Sequence, residues 1–287
     1  MQNLYRTIKS HPGIYRQLSC NESLITLYDC PLEKKFEDIW SHHNYIIYVV
    51  QGKKTWHTRH GSYELTKGSC VFVKKGASII EQYFDVSFCL VVFFLPDDFI
   101  IDVLKNKTFT RLSPDKKLHS VIPLDVTPTV QSFFNSMISY FGLLQEPDPL
   151  LLELKFRELV LTIADNPRNS ELISHFTSLV QEPQAVSLQR VMEENYCYNL
   201  KLEEFARLTS RSLSAFKRDF QKIYNTTPGK WLTQKRLDHA MHLLTHLNRT
   251  VSETAFESGF ENLAHFSRCF KQKFGKPPTA VKQQLPV

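Results

Sequence analysis

The chain has 287 residues, 42% of them hydrophobic, enough for two domains that each bury a substantial core. Its six cysteines are scattered without a CxxC pair, which argues for free thiols in a reducing cytosol and against a zinc site. The net charge of +6 is unevenly spread: residues 185–287 carry 16 Lys and Arg against 9 Asp and Glu, and the remainder 19 against 20. Attraction to phosphate explains that asymmetry better than general solubility does.

The N-terminal MQNLYRTIKS lacks the apolar core of a signal peptide, and the longest apolar run, FCLVVFFL at 88–95, is too short to span a bilayer as a helix. A cytoplasmic protein with no membrane partner is expected. Residues 14–95 read as β-structure, with strands predicted at 23–29, 45–51, 53–58, 62–66, 70–74, 78–84 and 87–94. Gln51-Gly52, His60-Gly61, Lys67-Gly68 and Lys75-Gly76 mark the reversals between them. Many short strands at this spacing predict a barrel or a two-sheet roll. Trp40, Tyr45, Tyr48, Trp56 and Tyr63 offer aromatic surface with polar tips. They either line a pocket for a small effector or fill the barrel core, and pattern does not separate the two. A metal site is not expected, because the adjacent His42 and His43 would point to opposite faces of a strand. No cofactor is predicted.

Pro96 opens a short helix, DDFIIDVLKN, and a polar stretch follows to about Ile122. Amphipathic helices are predicted over roughly 129–145 and 149–165, with a third over 170–181. In the first, Val130, Phe133, Phe134, Met137, Phe141 and Leu144 form a wide apolar stripe; in the second, Leu151, Leu154, Leu159 and Ile163 do the same. The stripe of Phe133, Phe134, Met137, Phe141 and Leu144 holds more aromatic surface than one barrel face needs, which predicts a homodimer interface. The competing reading is that the stripe covers the subunit's own barrel. QEPQAVS at 181–187 reads as a linker, dividing a domain at 1–182 from one at 185–287.

The last hundred residues contain one device twice. In LEEFARLTSRSLSAFKRDFQKIYNTTP, Ala206 allows a close helix crossing, Ser212 caps the next helix, and Phe216, Phe220 and Tyr224 face inward. In ESGFENLAHFSRCFKQKFGKPP, Asn262 is the cap and Phe266, Phe270 and Phe274 form the stripe. Gly259 and Gly275 take the positions that need positive φ, and Pro277–Pro278 prevent continuation of the helix. Between the copies a helix of about 18 residues, roughly 27 Å long, can hold two reading helices near one DNA turn apart. Trp231, Leu237, Ala240, Leu243 and Leu244 are its predicted core face.

Together with LTQKRLDHAMHLL between them, these motifs resemble the DNA-binding domain of the AraC/XylS family of bacterial transcription regulators. The departures are Ser210 and Asn225, where glycine is common, and Thr254, where an aliphatic residue is expected. The run IIYVVQGKKTWHTRHGSYELTKGSCVFVKKGAS is similar, through turn spacing, to the family's cupin-like N-terminal domain. The run LLLELKFRELVLTIADN resembles the N-terminal domains of activators of type III secretion genes.

The resemblance implies an α+β, two-domain activator: a cupin-like barrel with trailing helices, then an all-α domain with two helix-turn-helix motifs. It implies double-stranded DNA and RNA polymerase as partners, a homodimer, and control by a small-molecule effector or a regulatory protein. Position by position it places DNA contacts at Ser212, Ser214, Lys217, Arg218 and Gln221 in the first unit. In the second it places them at Asn262, Leu263, Ala264, Ser267, Arg268 and Lys271. Arg218 and Arg268 read bases, clamp phosphate or brace their own helix. Lys235 and Arg236 on the connecting helix are expected to touch phosphate. No GxSxG, P-loop, HExxH or dinucleotide fingerprint occurs, so no enzyme is expected. The alternative is a cupin-type enzyme fused to a DNA-targeting module.

Overall fold

The computed structural model describes residues 1–29, 34–84, 87–108, 119–181, 187–247 and 249–283. The chain divides into two compact units, Met1–Val186 and Ser187–Val287. Most of the linker predicted at 181–187, and Cys30, lie outside the described residues.

Unit 1 is built from two sheets. One has the order β1-β4-β9-β6-β7, from Gln2–Asn3, Phe36–Ser41, Gly76–Gln82, Lys53–Thr58 and Gly61–Thr66. The other runs β11-β8-β5-β10-β3-β2, from Val121–Pro123, Cys70–Val73, Asn44–Gln51, Cys89–Leu95, Ser23–Asp29 and Arg16–Cys20. Every pairing is antiparallel except that of β1 with β4. The unbroken apolar run of β10 has a structural cause. Leu90, Val92 and Phe94 enter the core shared by the two sheets, while Val91, Phe93 and Leu95 face a second core under the helices. A strand buried on both faces has no polar side to show.

The seven strands expected from pattern are all present, within about two residues at their ends. The structure adds β1, β2, β4 and β11, and helix α1 at Leu4–Ser10, which buries Tyr5 and Ile8 in the inter-sheet core. These elements are short, and their polar residues hide the two-residue alternation that marks a strand.

The helices of unit 1 are α2 (Asp97–Leu104), α3 (Pro128–Tyr140), α4 (Pro149–Asp165) and α5 (Ser170–Gln181). Two predictions fail here. The stripe of α3 is not a free surface: Phe133, Phe134 and Met137 are buried against the six-stranded sheet and α4. Phe134 stacks on Tyr48 at 4.4 Å, and Phe93 meets Phe133 at 5.7 Å. Phe141 is partly buried as the helix C-cap, and Leu144 lies beyond the helix and is fully exposed. One outer sheet face buried by helices needs more aromatic volume than a solvated barrel face would. The register of α4 also differs from expectation. Leu152, Phe156, Leu159, Val160 and Ile163 are buried, whereas Leu151 and Leu154 are exposed. Leucines on all sides of this helix leave its apolar period ambiguous.

Unit 2 is all helical: α6 (Ser187–Asn195), α7 (Leu202–Leu208), α8 (Leu213–Tyr224), α9 (Pro228–His246), α10 (Val251–Glu257), α11 (Leu263–Phe274) and α12 (Pro278–Gln283). The predicted core face of α9 is buried in full, at Trp231, Leu237, Ala240, Leu243 and Leu244. Its two halves serve different neighbours. Trp231 meets Phe220 and Tyr224 of α8 at 5.9 and 5.2 Å. Leu237, Ala240 and Leu244 pack with Ala255, Phe260, Phe266 and Phe270 around α10 and α11.

Candidate nucleic-acid interface

Helix α8 begins where Ser212 Oγ accepts the backbone N–H of Ala215 at 3.2 Å. Asn262 Oδ1 does the same for α11, accepting from Ala264 and His265 at 2.8 and 3.0 Å. Each bond satisfies a donor that the first helical turn leaves without a partner. Both helices end on a left-handed residue, Asn225 at φ 52° and Gly275 at φ 76°. The turns that precede them are also left-handed, at Ser210 (φ 55°) and Gly259 (φ 87°). The two departures from glycine noted in the sequence therefore occupy true positive-φ positions.

The stripes Phe216–Phe220 and Phe266–Phe270 are fully buried, which turns the intervening residues outward. On α8, Ser214, Lys217, Arg218 and Gln221 are exposed; on α11, Leu263, Ala264, Arg268 and Lys271 are exposed and Ser267 is half-buried. Among the described residues Lys217, Arg268 and Lys271 make no ion pair. Arg218 pairs with its neighbour Asp219 at 3.3 Å.

Of the two cations of α9, Arg236 is placed otherwise than expected, while Lys235 keeps a partly exposed side chain. Arg236 is turned into the unit, where Nε donates to the carbonyl of Tyr196 at 2.6 Å and Nη2 to that of Tyr198 at 2.8 Å. Burial pulls its pKa below the ordinary value. It braces the α6–α7 connection and does not face solvent phosphate. Lys235 pairs with Glu193 at 2.7 Å and lies over the Trp231 ring at 5.2 Å. A cation one position from an apolar residue reads as exposed in a helical pattern; its buried carbonyl partners come from another segment.

Sequence reasoning passed over Arg211, Asp219 and His265. Arg211 Nη1 donates to Thr209 O at 2.9 Å, and its Nε pairs with Asp219 at 3.2 Å. His265 is exposed on the first turn of α11, with Nε2 3.3 Å from Cys269 Sγ. The spacing of 265 and 269 by one helical turn was the available signal.

Unit 1 contains a small cavity of about 30 Å3 between the sheets. Tyr45 and Trp56 line it; Trp40, Tyr48 and Tyr63 do not. Tyr48 is three residues from Tyr45 on one strand and so points to the other face, where its hydroxyl donates to Gln131 at 2.6 Å. Trp40 likewise faces away from its lining neighbour Ile39, and Tyr63 packs half-buried at the edge of the core. Their places are taken by Leu4, Thr7 and Ile8 of α1, by Tyr15 and Tyr28, and by Glu37 and Lys54. Burial raises the Glu37 pKa against the lowering effect of the Lys54 charge. Lys54 is itself buried, with its ammonium 4.7 Å from the Phe88 ring centre.

Residues 44–175 match the family described as ExsA N-terminal regulatory domain, and residues 205–284 match a helix-turn-helix domain family. The virulence regulon transcriptional activator VirF of Yersinia enterocolitica is 24% identical over 238 residues, 82% of this chain and 87% of VirF. The HTH-type transcriptional regulator ExsA of Pseudomonas aeruginosa is 27% identical over 169 residues, 59% of this chain and 60% of ExsA. A crystal structure of unsaturated fatty acid bound ToxT from Vibrio cholerae covers 93% of this chain and 98% of its own at 14% identity, with a TM-score of 0.42. That last similarity is too distant to carry structural inference.

The chain is a DNA-binding transcription regulator and not an enzyme. It belongs to the AraC/XylS family. Among the described residues no helix is long and apolar enough to cross a membrane.

Proposed function

We propose that this protein activates transcription by laying α8 and α11, as two helix-turn-helix reading helices, into successive major-groove segments on one face of promoter DNA. The observation that carries the proposal is that two N-capped helices with exposed cations are seated on the two halves of α9. At 19 residues α9 is about 28 Å long, near the 34 Å of one DNA turn. In this reading Lys217, Arg218 and Gln221 supply donors to base edges or phosphate, Arg268 and Lys271 mainly neutralise phosphate, and Leu263 and Ala264 touch methyl groups or sugar. RNA polymerase is the partner recruited.

Unit 1, with its cupin-like pair of sheets, is the regulatory domain, controlled by a protein partner or by a molecule in the inter-sheet cavity. The relatives named as virulence regulon activators suggest a comparable regulon as the target. A homodimer is retained in this proposal, with its interface moved to the exposed leucines of the α3–α4 hairpin, Leu143, Leu144, Leu150, Leu154 and Leu161. Sedimentation should give a dimer for the parent and a folded monomer for Leu150→Glu/Leu154→Glu. A parent that stays monomeric at tens of micromolar, roughly ten times a micromolar Kd, removes the dimer.

The deciding experiment maps bound genomic sites for the parent and for Lys217→Ala/Arg218→Ala. The parent should enrich a shared motif upstream of transcribed genes, and the variant should lose preference in one half of it, by about 1–3 kcal/mol per base contact. Equal enrichment and an unchanged motif in the variant would refute the assignment of α8.

A further inference from the structure

Asp219 is an acidic residue on the half-buried flank of a helix otherwise arranged to meet phosphate. A carboxylate there repels the DNA backbone, so its geometry calls for a reason. Its two oxygens serve two guanidinium groups: Oδ2 accepts from Arg211 Nε at 3.2 Å and Oδ1 from Arg218 Nε at 3.3 Å. Arg211 in turn belongs to the turn before α8. Its backbone N–H donates to Ala206 O at 2.9 Å, and its Nη1 to Thr209 O at 2.9 Å. A continuous set of bonds therefore runs from the turn, through Arg211 and Asp219, to Arg218. It spans the strained Ser210, at φ 55°.

Among the described residues the second helix pair has no counterpart. There Cys269 stands where Asp219 stands in the first, and the turn is closed by Phe260 packed on Phe266 at 5.1 Å. The exposure gradient matches the two roles. The Arg211 side chain is 19% exposed, Asp219 30% and Arg218 67%, so the brace is partly shielded while the reader is free to reach DNA.

We infer that Asp219 is a positioning residue for sequence discrimination: its carboxylate holds the Arg218 guanidinium in register with the turn and lowers indiscriminate phosphate attraction at α8. The inference rests on the reading of α8 as a base-facing helix. Removing the carboxylate frees the exposed Arg218 guanidinium for phosphate, while Arg211 stays tied to Thr209 O, so non-specific binding strengthens and the orientation of Arg218 is lost.

The test uses the full chain and two probes: a duplex selected from random-sequence DNA by the parent protein, and a scrambled duplex of equal composition. For Asp219→Asn, affinity for the scrambled duplex should rise severalfold, with a salt slope steeper by about one unit. The ratio of selected to scrambled affinity should fall by about tenfold. Asp219→Glu should restore most of the ratio, and in an Arg218→Met background Asp219→Asn should change the ratio little. A parallel loss of both affinities in Asp219→Asn and Asp219→Glu, with a lowered melting temperature, would mean a merely structural brace and overturns the inference. An unchanged ratio overturns it too. If Asp219→Asn does not fold, the decision falls to Asp219→Glu: a retained ratio supports the inference and a lost ratio with intact folding overturns it. Failure of the parent to select any sequence would instead defeat the reading of α8, and the inference with it.

Discussion

Gly259 is the position in unit 2 where a single methyl group should cost most. Its φ is 87°, and a Cβ placed there would lie 2.6 Å from the carbonyl oxygen of Cys197, 2.9 Å from its carbon and 3.0 Å from Arg236 Nε. None of these can retreat freely, because two are backbone atoms and Arg236 is itself bonded to the carbonyls of Tyr196 and Tyr198. The left-handed conformation costs a non-glycine residue about 1–2 kcal/mol. Overpacking against fixed neighbours adds about 1–3 kcal/mol. Gly259→Ala should therefore lose about 2–5 kcal/mol, a large part of a stability of about 5–15 kcal/mol. Hydrogen exchange of the α9 amides through a urea series measures it. With a slope of about 1–3 kcal/mol per molar, the midpoint should fall by about 1 M or more. The matching change Ser210→Gly should act in the other direction by a few tenths of a kcal/mol, since strain relieved there is partly offset by added unfolded-state entropy. A Gly259→Ala midpoint within about 0.3 M of the parent would refute the close-approach argument.

Arg236→Met should destabilise unit 2 by about 2–4 kcal/mol by leaving two carbonyls without their donor, while the salt slope of DNA binding stays unchanged in titrations. A slope reduced by about 0.9 would instead make Arg236 a phosphate contact. Thr254 is fully buried and its hydroxyl has no partner among the described residues, so Thr254→Val should raise the urea midpoint by an amount worth about 1–2 kcal/mol. Burial holds the His43 imidazole below its ordinary value of 6.5, against the opposing charges of Glu22 and Asp97. A depressed folded pKa means that the unfolded chain binds the proton first. This contribution to stability is thus complete above about pH 6.5 and declines as pH falls toward the folded value. His43→Gln should flatten that part of the pH–stability curve of unit 1 followed by denaturation.

The local devices of unit 2 were legible because each is confined to a few neighbouring residues. Caps at Ser212 and Asn262, the stripes through Phe216 and Phe266, and the glycine stop at Gly275 follow from helix periodicity and backbone sterics, whereas the left-handed stop at Asn225 was seen only in the structure. Strands β3 and β5–β10 were legible for the same reason, through turn punctuation. What needed the tertiary structure was the identity of each side chain's partner. Arg236 looks solvent-facing by period, yet the carbonyls of Tyr196 and Tyr198 some forty residues away draw it inward. The stripe of α3 looks like a free interface until the second face of the six-stranded sheet covers it. Tyr48 and Tyr45 share a strand and a chemistry, and the pleat sends one to the helices and the other to the cavity. Sequence carries the period of an element. Which neighbour lies across each face is a long-range contact, and that was decided by the packing of the whole unit.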